Sequence, residues 1–267
     1  VHLHVHSEYS LLDGLVRIPQ LVERCSSLGM PAVAVTDENN VFALAKLQRA
    51  ARQAGIKPIS GAELWINSAD SSLRKFKLVL LCQNTDGYRN LSRLVTQSFR
   101  YGTREGNNVA LEETWLTSQS VTGLIALSAG TAGDLGQLVR DGKADSLERR
   151  IDHWQYIFSD RYYLELTRTG NEQEERYIDA MLNCAGSFGA PVVATNDVRY
   201  LEAREFEAHE ARVCIHQGRK LSDPRRPKLY TPGQYFRSEE EMCALFGDVP
   251  EALENSVNIA IRCNFEL

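Results

Sequence analysis

His4 and His6 stand two apart in the apolar-flanked run Val1-His2-Leu3-His4-Val5-His6, and a carboxylate, Asp13, follows shortly after. An extended chain repeats every two residues, so both imidazoles are expected on one face, with Asp13 just past the strand end. Neutral imidazole and carboxylate are the donors that divalent zinc, manganese and iron prefer. A strand whose histidines face solvent is the plainer alternative, because a bare His-x-His matches by accident. The longer string His4-Val5-His6-Ser7-Glu8-Tyr9-Ser10-Leu11-Leu12-Asp13-Gly14 is far more specific.

The elements that must position these groups alternate. A strand is expected at Val1–His6, a helix over about Pro19–Leu28, a nearly all-apolar strand at Pro31–Thr36 and a helix over Val41–Ala54. Strands at Pro58–Ile66 and Phe76–Leu81 follow, then a helix over Tyr88–Phe99. Further strands are expected at Gly123–Leu127, Arg161–Leu166 and Pro191–Thr195, with helices at Ser146–Ile157 and Glu172–Phe188 between them. Such alternation predicts a largely parallel sheet, open or closed into a barrel, with any active site at the carboxyl ends of the strands. The core runs to about residue 216, with a helix at Ala203–His216. Residues 217–237 form an irregular, proline-bearing connection, and helices over about 238–263 close the chain. Starting at Val1 and stopping soon after a helix, the sequence reads as a fragment cut at a domain boundary.

At 267 residues, 43% hydrophobic and 24% charged, the chain fits one large α/β domain. A net charge of −5 argues against a domain that grips DNA by itself, so DNA contact is expected to be minor. No run of about 18 apolar residues is present, so no membrane span is expected. Six scattered cysteines without a CxxC clip suit a reduced, cytoplasmic protein. His209-Glu210 with His216 lacks the HExxH spacing of a zinc helix and reads as ordinary helix. The basic-aromatic stretch Arg219, Lys220, Arg225, Arg226, Lys228 with Tyr230 and Tyr235 reads as a solvated loop rather than a nucleic-acid contact. Ser7, Ser10 and Ser128 show no nucleophile elbow.

The His4-to-Gly14 string resembles the first motif of the PHP (polymerase and histidinol phosphatase) superfamily, metal-dependent phosphoesterases built as a distorted (β/α)7 barrel. That resemblance implies nine metal ligands. His4, His6, Asp13, Glu63 and Asp197 match the family's pattern, whereas Glu38, Lys77 and Arg199 stand where it has histidines and Gly130 where it has a cysteine. A guanidinium donates without accepting and cannot coordinate a metal. Lys77 and Arg199 are therefore expected to neutralise Asp13, Glu38, Glu63 and Asp197 by salt bridges in place of ions. No resident cofactor is expected. The alternative is one divalent ion (Zn, Mn or Mg) held by His4, His6, Glu63 and Asp197.

Longer strings narrow the resemblance. Leu28-Gly29-Met30-Pro31-Ala32-Val33-Ala34-Val35-Thr36-Asp37, Gly55-Ile56-Lys57-Pro58-Ile59-Ser60-Gly61-Ala62-Glu63 and Val193-Ala194-Thr195-Asn196-Asp197-Val198-Arg199-Tyr200 look like the N-terminal PHP domain of C-family replicative polymerases, the bacterial DNA polymerase III alpha subunits. The loss of metal ligands is similar to the proteobacterial members, which implies a scaffold that docks a separate epsilon proofreading exonuclease. Polymerase domains would then follow residue 267 of the same chain. A residual metal-dependent phosphoesterase or pyrophosphatase is the rival expectation.

Overall fold

A computed structural model describes residues 1–105 and 108–267. In chain order its main elements are α1 (Ile18–Ser27), β1 (Ala32–Val35), α2 (Leu44–Gln53), β2 (Lys57–Asn67), β3 (Phe76–Cys82), α3 (Thr85–Tyr101), β4 (Thr103–Glu105), β5 (Asn108–Glu112) and β6 (Leu124–Leu127). Then come α4 (Asp134–Arg140), α5 (Ala144–Phe158), β7 (Tyr162–Thr167), α6 (Glu174–Phe188), β8 (Val192–Thr195), α7 (Phe206–His216), α8 (Glu239–Leu245) and α9 (Pro250–Arg262). Helix starts follow local chemistry. Asn84 caps α3 by accepting from Gly87 N, a Ser238–Glu241 capping box opens α8, and prolines sit in the first turns of α1 and α9.

The sheet is mixed rather than largely parallel. β1–β2, β2–β5, β6–β7 and β7–β8 pair parallel, but β3 runs antiparallel to both β2 and β6. The short link from β2 to β3 makes this possible: an antiparallel neighbour needs only a turn, whereas a parallel one needs a crossover. The expected first strand is also different. Residues 1–7 form isolated bridges in place of a regular strand, His2 to Val33 on one side and Val5 to Val198 on the other, with a further bridge from Ser7 to Val16. The first two bridges connect β1 back to the chain just past β8 and close the sheet into a distorted barrel of α/β class. The hairpin of β4 with β5, and the helix α4, are additions that periodicity did not reveal.

Strand parity separates the layers. Leu78 and Leu80 of β3, with Leu164 and Leu166 of β7, face a cluster that includes Leu91, Trp154 and Tyr177 from the covering helices. Val79 and Leu81 join Leu3, Ile125, Leu127, Tyr163 and Val193 inside the barrel, where Ile259 and Ala260 of α9 and Cys263 just after it also pack. Burial of such side chains, at about 1.5–3 kcal/mol each, is what holds the staves together. The inner face then changes character along the strands: Lys77 precedes Val79, and Glu165 and Thr167 follow Tyr163. One end of the barrel is plugged with hydrocarbon, and the other is a polar cavity.

Candidate metal and ion-pair centre

The cavity has a volume of about 390 Å3, and His4, Asp13, Glu38, Glu63, Lys77, Glu165, Asp197 and Arg199 all line it. Parallel staves bring ligands at their carboxyl ends, as with Glu165 on β7 and Asp197 just after β8. Antiparallel β3 reaches the same end with its first residues, which is why Lys77 opposes Trp65 and stands over its ring at 4.9 Å. The regular strand β8 stops at Thr195, yet both Asp197 and Arg199 turn inward. Asp197 adopts φ +40°, a strained region for a residue with a side chain, and is held there by its neighbours. Val198 N donates to His4 O, His6 N donates to Val198 O, Arg199 N donates to Gln234 O, and Gln234 Nε2 donates to Asp197 Oδ2 at 2.8 Å.

His4 and His6 point together, with their Nε2 atoms 3.1 Å apart. Each ring is anchored through Nδ1. His4 Nδ1 meets Glu165 Oε1 at 2.8 Å, and His6 Nδ1 meets Ser10 Oγ at 2.9 Å. Ser10 Oγ donates to Asp37 Oδ1, so it accepts from His6 Nδ1–H, which leaves the lone pair of His6 on Nε2. Burial opposes charge on His4, but Glu165 and Asp197 outweigh it and raise its pKa to about 10. Burial, with Arg199 next, pushes His6 well below the usual imidazole range.

Both cations of the cavity are buried and paired. Lys77 Nζ lies 2.6 Å from Glu63 Oε2 and 3.0 Å from Glu38 Oε2. Arg199 lies 2.8 Å from Asp197 Oδ1 and 3.6 Å from Asp13 Oδ2, with its guanidinium over the Tyr230 ring at 5.4 Å. Burial opposes charge on Lys77 and Glu63 alike, but each holds the other ionised: Lys77 is raised above the usual ammonium range and Glu63 is held well below the carboxylate range.

A single divalent ion fits this set. A tetrahedral ion with bonds of about 2.0–2.2 Å needs donors about 3.3–3.6 Å apart. Here the two histidine Nε2 atoms, 3.1 Å apart, and His4 Nε2 with Glu63 Oε1, 3.2 Å apart, lie just inside that spacing. His4 Nε2 is 3.6 Å from Asp197 Oδ1, and His6 Nε2 is 3.5 Å from Asp197 Oδ1 and 3.6 Å from the other Glu63 oxygen, Oε2. His4, His6 and Asp197 form the compact trio of donor atoms among the described residues. A multi-ion cluster does not fit, because Glu38 and Asp13, the carboxylates left to hold further ions, are neutralised by Lys77 and Arg199. Gly130, at φ +53°, would accept a side chain only with backbone strain.

Several contributors were not evident in the sequence. Glu165 is fully buried within an apolar strand, Asp37 ties Ser7 and Ser10 to the histidine segment, and Gln234 and Tyr230 arrive from the irregular connection. A lone glutamate inside Tyr162-Tyr163-Leu164-Glu165-Leu166 was the one available signal for Glu165. His209 is no ligand of the centre: its Nε2 donates to the Asp13 carbonyl at 3.0 Å and holds the Asp13 loop. In the basic stretch Arg226 pairs with Glu210, while Arg219 and Arg225 face Asp223.

The PHP domain model matches residues 2–169, a span that takes in His4 through Glu165, and the chain belongs to that family. Over its whole length it is also similar to DNA polymerase III subunit alpha: 46% identical over 267 residues to the Pseudomonas aeruginosa protein, and 45% over 264 residues to those of Vibrio cholerae and Escherichia coli K12. The chain spans 23% of the length of each of these curated relatives. Among solved structures, an amidohydrolase from Chromobacterium violaceum superposes with a TM-score of 0.53 at 13% identity, over 79% of this chain and 96% of that one, a likeness of fold alone. Among the described residues no helix is long and apolar enough to cross a membrane.

Proposed function

We propose that this chain is the PHP domain of a DNA polymerase III alpha subunit and serves replication as a cytoplasmic scaffold with little chemistry of its own. Residues 1–267 form one such domain in this reading, and the polymerase domains follow it in the full chain. The observation that carries it is the seating of Lys77 and Arg199 on Glu38, Glu63, Asp13 and Asp197, where fixed positive charges take the place of the several ions that a multi-ion centre would need. The full-length similarity to alpha subunits supports the replication setting. Docking of the epsilon proofreading exonuclease belongs to the same reading, through an interface of about 1,200–2,000 Å2 or a smaller one helped by tethering.

The test compares phosphatase, pyrophosphatase and 3′-exonuclease turnover of the metal-supplemented protein with a His4→Ala/Asp197→Ala variant. Robust turnover that the variant loses would replace the scaffold with a one-ion phosphoesterase, the second reading, favoured by the donor spacing around His4 and His6. Titration with purified epsilon exonuclease tests the docking separately: no binding would remove that part.

A further inference from the structure

The carboxylates of the cavity are not equivalent. Asp13, Glu38, Glu63 and Asp197 each lie within 3.6 Å of Lys77 or Arg199. Glu165 has no such cation among the described residues, and its one ionic partner is His4. Its Oε1 accepts from His4 Nδ1–H and from the Thr195 hydroxyl, while its Oε2 is buried without a hydrogen-bond partner. Its backbone N donates to Ser128 Oγ at 2.8 Å, and Ser128 Oγ meets Tyr177 OH at 3.0 Å, so the strand beneath it is fixed. An unsatisfied buried carboxylate oxygen costs free energy that an apolar side chain at this position would not. The aim of Oε1 at Nδ1 accounts for a glutamate here.

We propose that Glu165 is a positioning residue: it locks the His4 ring with Nε2 facing His6, as Ser10 and Asp37 lock His6, and so preforms a donor pair for one divalent cation. The inference rests on the one-ion fit of the cavity. An acceptor on the far nitrogen of a ligating imidazole fixes the ring's orientation and strengthens the nitrogen that binds. It is reach, not negative charge alone, that the geometry requires. Glu165→Gln keeps an oxygen at the same distance, whereas Glu165→Asp keeps the charge but withdraws it by one methylene.

Calorimetry with Mn2+ and with Zn2+ on the chain and on Glu165→Gln, Glu165→Asp and Glu165→Ala, each checked for folding by its melting transition, decides the matter. One equivalent should bind the unaltered protein. Glu165→Asp and Glu165→Ala should bind about 10–100-fold more weakly, and Glu165→Gln within a few-fold of the original. Affinity retained by Glu165→Asp but lost by Glu165→Gln would overturn the proposal in favour of a pure charge effect. Unchanged affinity in Glu165→Ala would overturn it outright, and if that variant does not fold, the Gln–Asp comparison stands alone. Should the unaltered protein bind neither metal, the one-ion reading fails by itself. Crystal structures of the metal-free proteins then decide the positioning role: a His4 ring turned in Glu165→Asp supports it, and an unmoved ring refutes it.

Discussion

Lys77 and Glu63 face each other across the barrel wall from antiparallel strands, ammonium nitrogen to Oε2 at 2.6 Å, with both side chains almost wholly buried. The pair exists because β3 reverses direction. In a parallel β3, residue 77 would lie at the plugged end of the barrel, far from Glu63.

Lys77→Met should therefore be strongly destabilising although it is apolar and similar in length. It leaves Glu38 without a cation and Glu63 with only His4, 3.2 Å away, to offset its charge, and removing one partner of a buried pair costs about 3–5 kcal/mol. Urea denaturation measures this directly. A loss under about 1 kcal/mol would mean that water or a bound ion already screens Glu63.

Exchanging the fixed charges for ligands should open the cavity to ions. Lys77→His combined with Arg199→His should raise the divalent metal bound per chain above that of the unaltered protein, read by elemental analysis after dialysis. Gly130 is best left alone, since a cysteine at φ +53° would be strained whatever room it has. No gain in metal would place the obstacle in the geometry of the staves.

A second ionic cluster, remote from the cavity, should govern acid stability. Burial works against charge on Glu113, but hydrogen bonds from His153 and Arg150 outweigh it and lower its carboxyl from the ordinary 4.5 to about 2. A carboxyl lowered in the folded state contributes stability that is fully present above its unfolded value. That contribution is lost as the pH falls from about 4.5 to about 2. Glu113→Gln should flatten the stability–pH curve over that window, and an unaltered slope would assign acid lability elsewhere.

Gly87 should tolerate no side chain. A Cβ there would lie 1.9 Å from the Gly123 carbonyl oxygen, which also accepts from Gln83 N, and Gly123 itself sits at φ +74° against the Asn84 cap. Gly87→Ala must push the start of α3 off the turn before β6, at about 1–3 kcal/mol. Its melting temperature should fall, whereas an unchanged value would show that α3 shifts freely.

The sequence by itself determined the α/β alternation and, through its motif strings, the family, and the resemblance to that family grouped His4, His6, Asp13, Glu63 and Asp197 as expected members of one set. Those signals are local: a period of two along a strand, a cap or glycine at a helix end, and strings whose residue types carry their own chemistry. Only the tertiary structure decided that residues 1–7 join the barrel by single bridges, that β3 is antiparallel, and that Asp197 leaves its strand through a left-handed turn. It alone brought Glu165 to His4 from 161 positions away, and Gln234 to Asp197 and Tyr230 to Arg199 from the irregular connection. Such pairings depend on how the sheet closes, and closure is settled by the packing of both faces of every stave at once, which no window of sequence contains.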